Sequence, residues 1–364
     1  MTIRPLIDAH LDLAWSAMYF NRDLLQPIAT IRQSETGMID ELSRGRNTVS
    51  FPELRAANVP VCVATLLARS GPDQLKQPPL RRVDLDYAQP RIAYAHAQGQ
   101  LAYYHLLESE GHIRILKSRS DLSQHWKAWQ NHPTKTPIGI ILSMEGADPI
   151  QIPKQVSQWW DNGLRAVGPV HYGRSQYACG TACDGPLSDA GVELLRQFQR
   201  VGMILDVTHL SLQSFFQALE IYDGPTIASH HNCAALVPGD RQLTDEQIRL
   251  LLQRDAIIGT AFDAWMLYPG WKRGETSPQV LKIESAADHI DHICQIAGSV
   301  KHCAIGTDLD GGFGTEQTPC DLDTIKDVHR LEEILAARGY KPADIDAIFF
   351  NNWLNFFLKW LPNK

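Results

Sequence analysis

The amino-acid sequence predicts a (β/α)₈ barrel, a ring of eight parallel strands surrounded by helices. Eight apolar runs, each ending in polar or charged residues, alternate with helical stretches along the 364 residues. Several runs are hydrophobic almost without interruption, which is typical of strands buried on both faces. The first run, PLIDAHLDL, lacks the glycine-rich turn of a dinucleotide-binding sheet. A closed barrel is therefore favoured over an open doubly wound sheet.

The predicted elements are spread over the whole chain. The strands cover residues 5–10, 59–68, 137–145, 164–171, 202–209, 225–230, 256–263 and 302–310. Helical spacing or helix-start signals, such as the Thr–Asp pair before EQIRLLL, mark the segments between them. The predicted helices cover residues 84–109, 187–200, 211–221, 244–254, 283–297, 324–338 and 342–361.

Residues 1–364 are predicted to form a single barrel domain. The segment 68–83 is rich in proline, glycine and charge, and we interpret it as a loop excursion from the barrel rather than a domain boundary. The C-terminal stretch IDAIFFNNWLNFFLKWL is apolar on more than one helical face. We expect it to pack against the barrel, with a partner subunit as the alternative.

Composition narrows the classes of function. Hydrophobic residues make up 44% and charged residues 21% of the chain, enough for a large core. The net charge of −7 argues against nucleic acid, which needs a basic face. No stretch approaches the roughly 20 apolar residues that span a bilayer, and the N-terminus lacks a signal-peptide pattern. We therefore expect a cytoplasmic protein without a membrane partner. The seven cysteines are too sparse for a disulfide framework, and we expect reduced thiols.

Groups that bind metals stand at the predicted strand ends. They are His10 with Asp12, Glu145, His171, His209, His230 and Asp308. In a (β/α)₈ barrel the carboxyl ends of the strands meet at the face that carries the active site. Imidazole and carboxylate together suit Zn²⁺ and similar ions, and one carboxylate can bridge two cations. The pattern as a whole predicts a metal site.

Taken singly, these residues have ordinary alternatives. The His10 and Asp12 pair can hydrogen-bond within a loop, and Glu145 can pair with an arginine or cap a helix. A lone histidine after an apolar strand is usually a satisfied polar group. His231 adjoins His230, but consecutive strand residues face opposite ways, so only one of them should point at a metal. We prefer His230.

The motifs around these residues resemble, in order and in approximate spacing, those of the membrane (renal) dipeptidase family of the amidohydrolase superfamily. DAHLDLAW resembles the family's DGHNDLPW, SMEGADPI its EGG-containing motif, and LDVTHLS its DLSHVS segment. GLRAVGPVH, IASHHNCAAL with RQLTDEQI, and ADHIDHICQIAGS with AIGTDLDGG are similar to further segments of that family. The resemblance covers essentially the whole barrel.

The resemblance implies a hydrolase that cleaves dipeptides with two zinc ions per chain. His10, Asp12 and Glu145 would hold one ion. Glu145, acting as the bridge, would hold the other together with His209 and His230. Some related barrels use a carboxylated lysine as the bridge instead, but no predicted strand end here presents a lysine.

The resemblance also assigns roles around the substrate. Asp308 matches the aspartate that contacts the bridging hydroxide, and His171 matches the histidine that supports the substrate carbonyl. Arg241 matches the arginine that receives the terminal carboxylate of a dipeptide. Without the resemblance, we would interpret Arg241 as a surface residue that covers the next helix start. A homodimer is expected by analogy alone.

Two alternatives to a zinc dipeptidase stay open. The residues after His171, YGRSQYACGT, differ from the family's usual THTCNNPWAD and border the expected substrate pocket. The same barrel and metals could therefore act on another small amide, such as an N-acyl amino acid, a mixed L/D dipeptide or a β-lactam-like compound. A non-catalytic binding or scaffold protein is the second alternative. The intact set of five metal-binding residues argues against it.

Overall fold

The structure, a computed structural model, describes residues 3–70 and 85–364. The strands are, in chain order, β1 Ile7–Leu11, β2 Val61–Leu67, β3 Arg69–Ser70, β4 Asp86–Tyr87, β5 Ile113–Ile115, β6 Ile138–Glu145, β7 Leu164–Gly168, β8 Ile204–Asp206, β9 Thr226–Ala228, β10 Ile257–Thr260 and β11 Cys303–Ile305. In one parallel sheet of nine strands, β5 pairs with β6, and the other eight strands follow the order β1-β2-β6-β7-β8-β9-β10-β11 around the barrel. β5 was not predicted. Each of the other eight lies within one of the predicted strands or overlaps it, so the predicted barrel is confirmed.

The ring closes between β1 and β11 through a buried aspartate. Both the backbone N–H and the hydroxyl of Thr307 donate to the Asp8 carboxylate, at 2.9 and 2.6 Å. The backbone N–H of Asp308 donates to the carbonyl of His10 at 3.3 Å. These contacts bring the end of the last strand beside the end of the first.

The helices pack around this ring. They are α1 Leu13–Phe20, α2 Ile28–Ser34, α3 Phe51–Ala56, α4 Pro90–Ser109, α5 Arg119–Asn131, α6 Val156–Asp161, α7 Asp189–Val201, α8 Leu212–Ile221, α9 Asp245–Gln253, α10 Ala264–Leu267, α11 Glu284–Ala297, α12 Arg330–Ala337, α13 Pro342–Asp346 and α14 Asn352–Trp360. A 3₁₀ turn, Ile325–His329, precedes α12, and a π-helical turn, Ala347–Asn351, joins α13 to α14.

The helix predicted over residues 84–109 begins later than expected. It starts at Pro90, whose fixed φ and missing N–H suit the first helical turn. Gln89 before it is extended, with φ −149°, as steric conflict with the proline ring favours. Asp86 and Tyr87 form β4, which pairs with β3. Of the predicted excursion 68–83, residues 71–83 lie outside the described part of the chain.

The C-terminal helix packs against the barrel, as predicted. Trp353 and Phe357 are fully buried in a cluster with Ile7, Val61 and Ile141 from the strands. The indole N–H of Trp353 donates to the carbonyl of Ile305 at 2.8 Å, which satisfies its buried polar atom. This helix therefore covers the amino ends of the strands and leaves the carboxyl ends open.

Two further expectations from composition can be compared with the structure. Within the described ranges, no helix combines the length and the apolar character needed to cross a membrane. All seven cysteines are free thiols.

Candidate metal centre

The predicted metal-binding residues meet at the carboxyl ends of the barrel strands. His10 belongs to β1, and Glu145 is the last residue of β6. Asp12, His171, His209, His230 and Asp308 lie in the loops just beyond β1, β7, β8, β9 and β11. Residues more than 290 positions apart in the chain thus share one site because the parallel strands all end on the same face.

Glu145 lies at the centre of this cluster. Its Oε1 atom is 3.1 Å from Nε2 of His209, 3.3 Å from Nε2 of His230 and 3.6 Å from Nε2 of His10. Nε2 of His171 lies at 3.9 Å from the same oxygen. One carboxylate oxygen is therefore within 4 Å of four ring nitrogens that come from four different strand ends.

Among the residues that the structure describes, three sets of side chains place their donor atoms within 4.8 Å of one another. They are His10, Asp12 and Glu145; Glu145, His209 and His230; and His10, His230 and Asp308. The first two are the sets that the resemblance implied, and Glu145 belongs to both. The third was not predicted, and it arises because the rings of His10 and His230 lie 3.6 Å apart.

Burial sets the charge state of the two histidines beyond β8 and β9. It lowers the pKa of His209 and of His230 well below the ordinary value, and the nearby Arg241 guanidinium adds to the effect. Both rings are therefore neutral at physiological pH. Neutral imidazole is the form that binds metal ions.

The acidic half of the site behaves differently. Burial raises the pKa of Glu145 and raises that of Asp308 well above its ordinary value. Burial alone would lower the pKa of His10, but the carboxylates of Glu145 and Asp12 raise it well above the usual value. A cation bound beside these carboxylates would favour their ionised form and so lower their pKa again.

A buried nitrogen without a partner tests whether this donor set suits a metal ion. Among the described residues, Nε2 of His10 is buried and has no hydrogen-bond partner. It lies 3.8 Å from an oxygen of Asp12 and 3.7 Å from one of Asp308. Because imidazole and carboxylate donors are preferred by zinc, these residues fit a divalent transition-metal ion.

Neighbouring hydroxyls orient two of the rings. The Thr181 hydroxyl lies 2.9 Å from Nδ1 of His209, and the Ser229 hydroxyl lies 2.9 Å from Nδ1 of His230. Such contacts leave Nε2 directed at the site, as partners of metal-binding histidines usually do. His231 lies outside the three candidate sets, so the structure brings His230, the preferred residue, to Glu145.

Two of these residues have an unusual backbone conformation. His209 and Asp308 have φ angles of 70° and 61°, in the left-handed region that non-glycine residues rarely adopt. Each such residue costs on the order of 1 kcal/mol or more, and such conformations cluster at functional sites. The surrounding fold thus holds both side chains in place at some cost in stability.

A cavity of about 590 Å³ opens above the cluster. Asp12, Glu145, His209 and Asp308 line its floor, and aromatic side chains that include Trp15 and Trp265 line its walls. Its size is within the usual range for small-molecule sites.

Arg241 also lines the cavity. It is only 1% exposed, so the alternative of a surface arginine is wrong. Its Nη2 donates to the carbonyl of His230 at 2.9 Å, while its buried Nη1 has no hydrogen-bond partner among the described residues.

The sequence analysis missed four charged residues that line the cavity, Arg69, Arg174, Asp263 and Arg273. Arg69 is 8% exposed and contacts the ring of His171. Asp263 is the last residue of the predicted strand 256–263, and burial raises its pKa to about 7. Its position at a strand end was a usable signal, of the same kind as that of Glu145. Arg69 gave no such signal, since it lies within the segment interpreted as an excursion.

The sequence matches a known protein family over almost its whole length. The family model described as "Membrane dipeptidase (Peptidase family M19)" matches residues 1–359. An uncharacterized protein from the pqqA 5′ region of Klebsiella pneumoniae is 25% identical over 258 residues, which are 68% of this chain and 89% of that protein. Dipeptidase tcpJ of Claviceps purpurea is 28% identical over 197 residues, covering 52% of this chain and 43% of that one.

Solved structures share the fold over the full length. A metallopeptidase of family M19 called dipeptidase AC superposes with a TM-score of 0.79 at 20% identity, with 100% of both chains covered. A metallopeptidase from Rhodobacter sphaeroides, solved with a phosphinate mimic of the dipeptide L-Ala-D-Ala, superposes with a TM-score of 0.76 at 19% identity. That match covers 99% of this chain and 100% of the other.

Proposed function

The chain belongs to the membrane dipeptidase family, and we propose that it hydrolyses dipeptides with the help of two zinc ions that share Glu145 as a ligand. The observation that carries this proposal is the position of the Glu145 carboxylate, which belongs to two overlapping sets of metal-binding groups. His10 and Asp12 complete one set, and His209 and His230 complete the other.

Zinc ions held by these residues would supply Lewis acidity, which makes water acidic enough to act as a nucleophile near neutral pH. The protein contributes the groups that move protons and stabilise charge. The Asp308 carboxylate, beside His10 at 3.7 Å, accepts the proton of the attacking water and passes it to the leaving amine. The Nε2 atom of His171 faces the same site, where an N–H donor stabilises the negative charge that develops on the carbonyl oxygen.

Arg241 would select for short substrates. Its guanidinium is buried against the cavity, with one nitrogen free to bind, and a planar guanidinium suits a carboxylate. A carboxylate bound there places the preceding peptide bond near the metal centre, so a chain with more residues after that bond would not fit in the same register. The preference is therefore for dipeptides.

The substrates to be tested follow from the relatives. The Rhodobacter sphaeroides protein was solved with a mimic of L-Ala-D-Ala. We therefore propose a zinc-loaded dipeptide library that includes D-residues at the C-terminal position, together with N-acyl amino acids. Turnover of an N-acyl amino acid but of no dipeptide would contradict the proposed substrate class.

Glu145→Gln tests the shared ligand. We expect wild-type protein to hold about two zinc ions per chain, and the variant to lose metal and about 10³-fold or more in kcat/KM, because a shared anionic ligand stabilises both ions. Glu35→Gln is the matched control, since Glu35 is equally buried but pairs with Arg22 and Arg44 away from the cavity. Full activity of Glu145→Gln would contradict the proposal. Wild-type protein that holds no metal and stays inactive on reconstitution would favour a binding or scaffold role.

A further inference from the structure

An arginine outside the candidate metal ligands touches the ring of His171. Nη1 of Arg69 lies 3.0 Å from Nδ1 of His171. A guanidinium has five N–H donors and no acceptor. The contact is therefore a hydrogen bond only if Nδ1 of His171 carries no proton and accepts. In the neutral ring the proton then resides on Nε2.

The protonated nitrogen is the one that faces the centre. Nε2 of His171 lies 3.9 Å from Oε1 of Glu145, and the ring meets that of His209 edge-on at 4.3 Å. The partners of His209 and His230 are hydroxyls, which can either donate or accept. The guanidinium beside His171 leaves no such choice, so this contact specifies a tautomer.

Arg69 is itself held in place. It lies opposite Asp86 in the pairing of β3 with β4, and its Nε and Nη2 atoms both donate to the Asp86 carboxylate, the second at 3.1 Å. Both residues are buried, at 8% and 3% exposure. The guanidinium also lies 5.5 Å from the centre of the Tyr172 ring. A bidentate ion pair of this kind fixes the plane of the guanidinium as well as its position.

We propose that Arg69 is a positioning residue that holds His171 as the Nε2–H tautomer, so that the ring presents a hydrogen-bond donor to the substrate. The effect on catalysis rests on the proposed function, whereas the tautomer rests on the Arg69 contact. In the opposite tautomer Nε2 would present a lone pair to the developing oxyanion and repel it. Asp86 anchors the guanidinium and acts on His171 through Arg69.

Ring nitrogen NMR tests the tautomer without reference to any activity. The zinc-loaded protein is labelled with ¹⁵N-histidine, and the His171 signals are identified by their loss in His171→Ala. We expect an unprotonated Nδ1 and a protonated Nε2 in the wild type. In Arg69→Met we expect this preference to be lost, with both nitrogens moving toward averaged shifts. A protonated Nδ1 in the wild type, or an unchanged spectrum in Arg69→Met, overturns the proposal.

Steady-state kinetics test whether Arg69 affects catalysis through His171. Arg69→Met should lower kcat for a dipeptide by about 10-fold to 100-fold, as is usual for the partners of site histidines, with a smaller change in KM. In a His171→Ala background the same substitution should change kcat less than about 3-fold, because the ring through which Arg69 acts is gone. An equal loss in both backgrounds would show that Arg69 only supports the loop, and would overturn the proposal.

Two further variants guard against misfolding. Arg69→Met removes the guanidinium that pairs with the buried Asp86 carboxylate. Arg69→Met/Asp86→Asn is therefore measured beside it and should behave alike. Arg165→Met is the matched control for loss of a buried arginine, since Arg165 bonds backbone carbonyls away from the cavity and should leave kcat unchanged. If no dipeptide is hydrolysed by the wild type while the NMR result is as expected, the proposed function fails and the assignment of Arg69 stands.

Discussion

Asp148 is a buried carboxyl that contacts Ser70, the residue that follows Arg69 in β3. It is 2% exposed, and one of its oxygens accepts the backbone N–H of Ser70 at 2.9 Å. Burial raises its pKa from an ordinary value of 3.8 to about 7, against the opposing effect of that N–H and of Arg69. We predict that Asp148→Asn, which keeps the shape and removes the ionisation, stabilises the fold at pH 8 and has little effect at pH 4.

The direction of this change in stability with pH follows from proton linkage. Between pH 4 and 7 the folded protein keeps a proton on Asp148 that the unfolded chain has released, so unfolding releases a proton and stability falls as the pH rises. The interval from 3.8 to about 7 is some three pH units. At about 1.4 kcal/mol per unit, ionised Asp148 costs the folded state up to about 4 kcal/mol. Relaxation around a buried charge reduces this figure, and we expect about 2–4 kcal/mol at pH 8.

Urea unfolding at pH 4, 6 and 8 measures the difference between the two proteins, with a chelator present so that metal binding does not contribute. Asp161→Asn is the control, because Asp161 is exposed at the end of α6. The gain in free energy of unfolding from Asp148→Asn should grow from pH 4 to pH 8, while the control shows no such trend. A gain independent of pH, or a loss at pH 8, would refute the reasoning.

Three other substitutions give expected outcomes. Thr181→Val removes the hydroxyl 2.9 Å from Nδ1 of His209 and should weaken zinc binding about 10-fold to 100-fold in competition with a chromophoric chelator; unchanged affinity would contradict this. Arg241→Met should raise KM for a dipeptide about 10-fold to 100-fold but not for the corresponding dipeptide amide, because a charged hydrogen bond is lost; an equal rise for both would rule out carboxylate recognition. Gly306→Ala would place a Cβ 1.8 Å from the carbonyl oxygen of Ser229 and should cost at least about 2 kcal/mol in urea unfolding, whereas a cost near zero would mean that the strand ends adjust freely.

The ring of strands could be predicted from the sequence because strands that are buried on both faces are apolar at nearly every position. Runs such as 137–145 are apolar at consecutive positions, and only the ends change character. The change from apolar to polar residues at the strand ends also identified Glu145 and His230. A charged or polar group directly after a buried strand is costly unless it has a partner. The helices α1, α2, α3, α5, α6 and α10 were not predicted. All of them except α5 have eight residues or fewer, so their side-chain pattern shows little periodicity.

Residues whose role depends on long-range pairing could not be predicted in the same way. Nothing local indicates that Asp86 pairs with Arg69 or that Arg69 reaches His171. These contacts require the pairing of β3 with β4, two strands of two residues each, which are too short to leave a periodic pattern. The left-handed backbone of His209 was equally hidden, because no glycine marks it.

The charges at the strand ends explain why the two overlapping sets of donors belong together. Asp12, Glu145 and Asp308 supply three carboxylates. They face two neutral histidines and His10, whose pKa is raised by Glu145 and Asp12. A metal-bound His10 is neutral, so one divalent cation would leave the three carboxylates with a net negative charge, which disfavours negative charge on a substrate oxygen. Two divalent cations would leave one net positive charge, which would stabilise negative charge on that oxygen. Burial first, and the neighbouring carboxylates second, raise the pKa of Glu145 and of Asp308, so both groups favour a proton when no cation is bound.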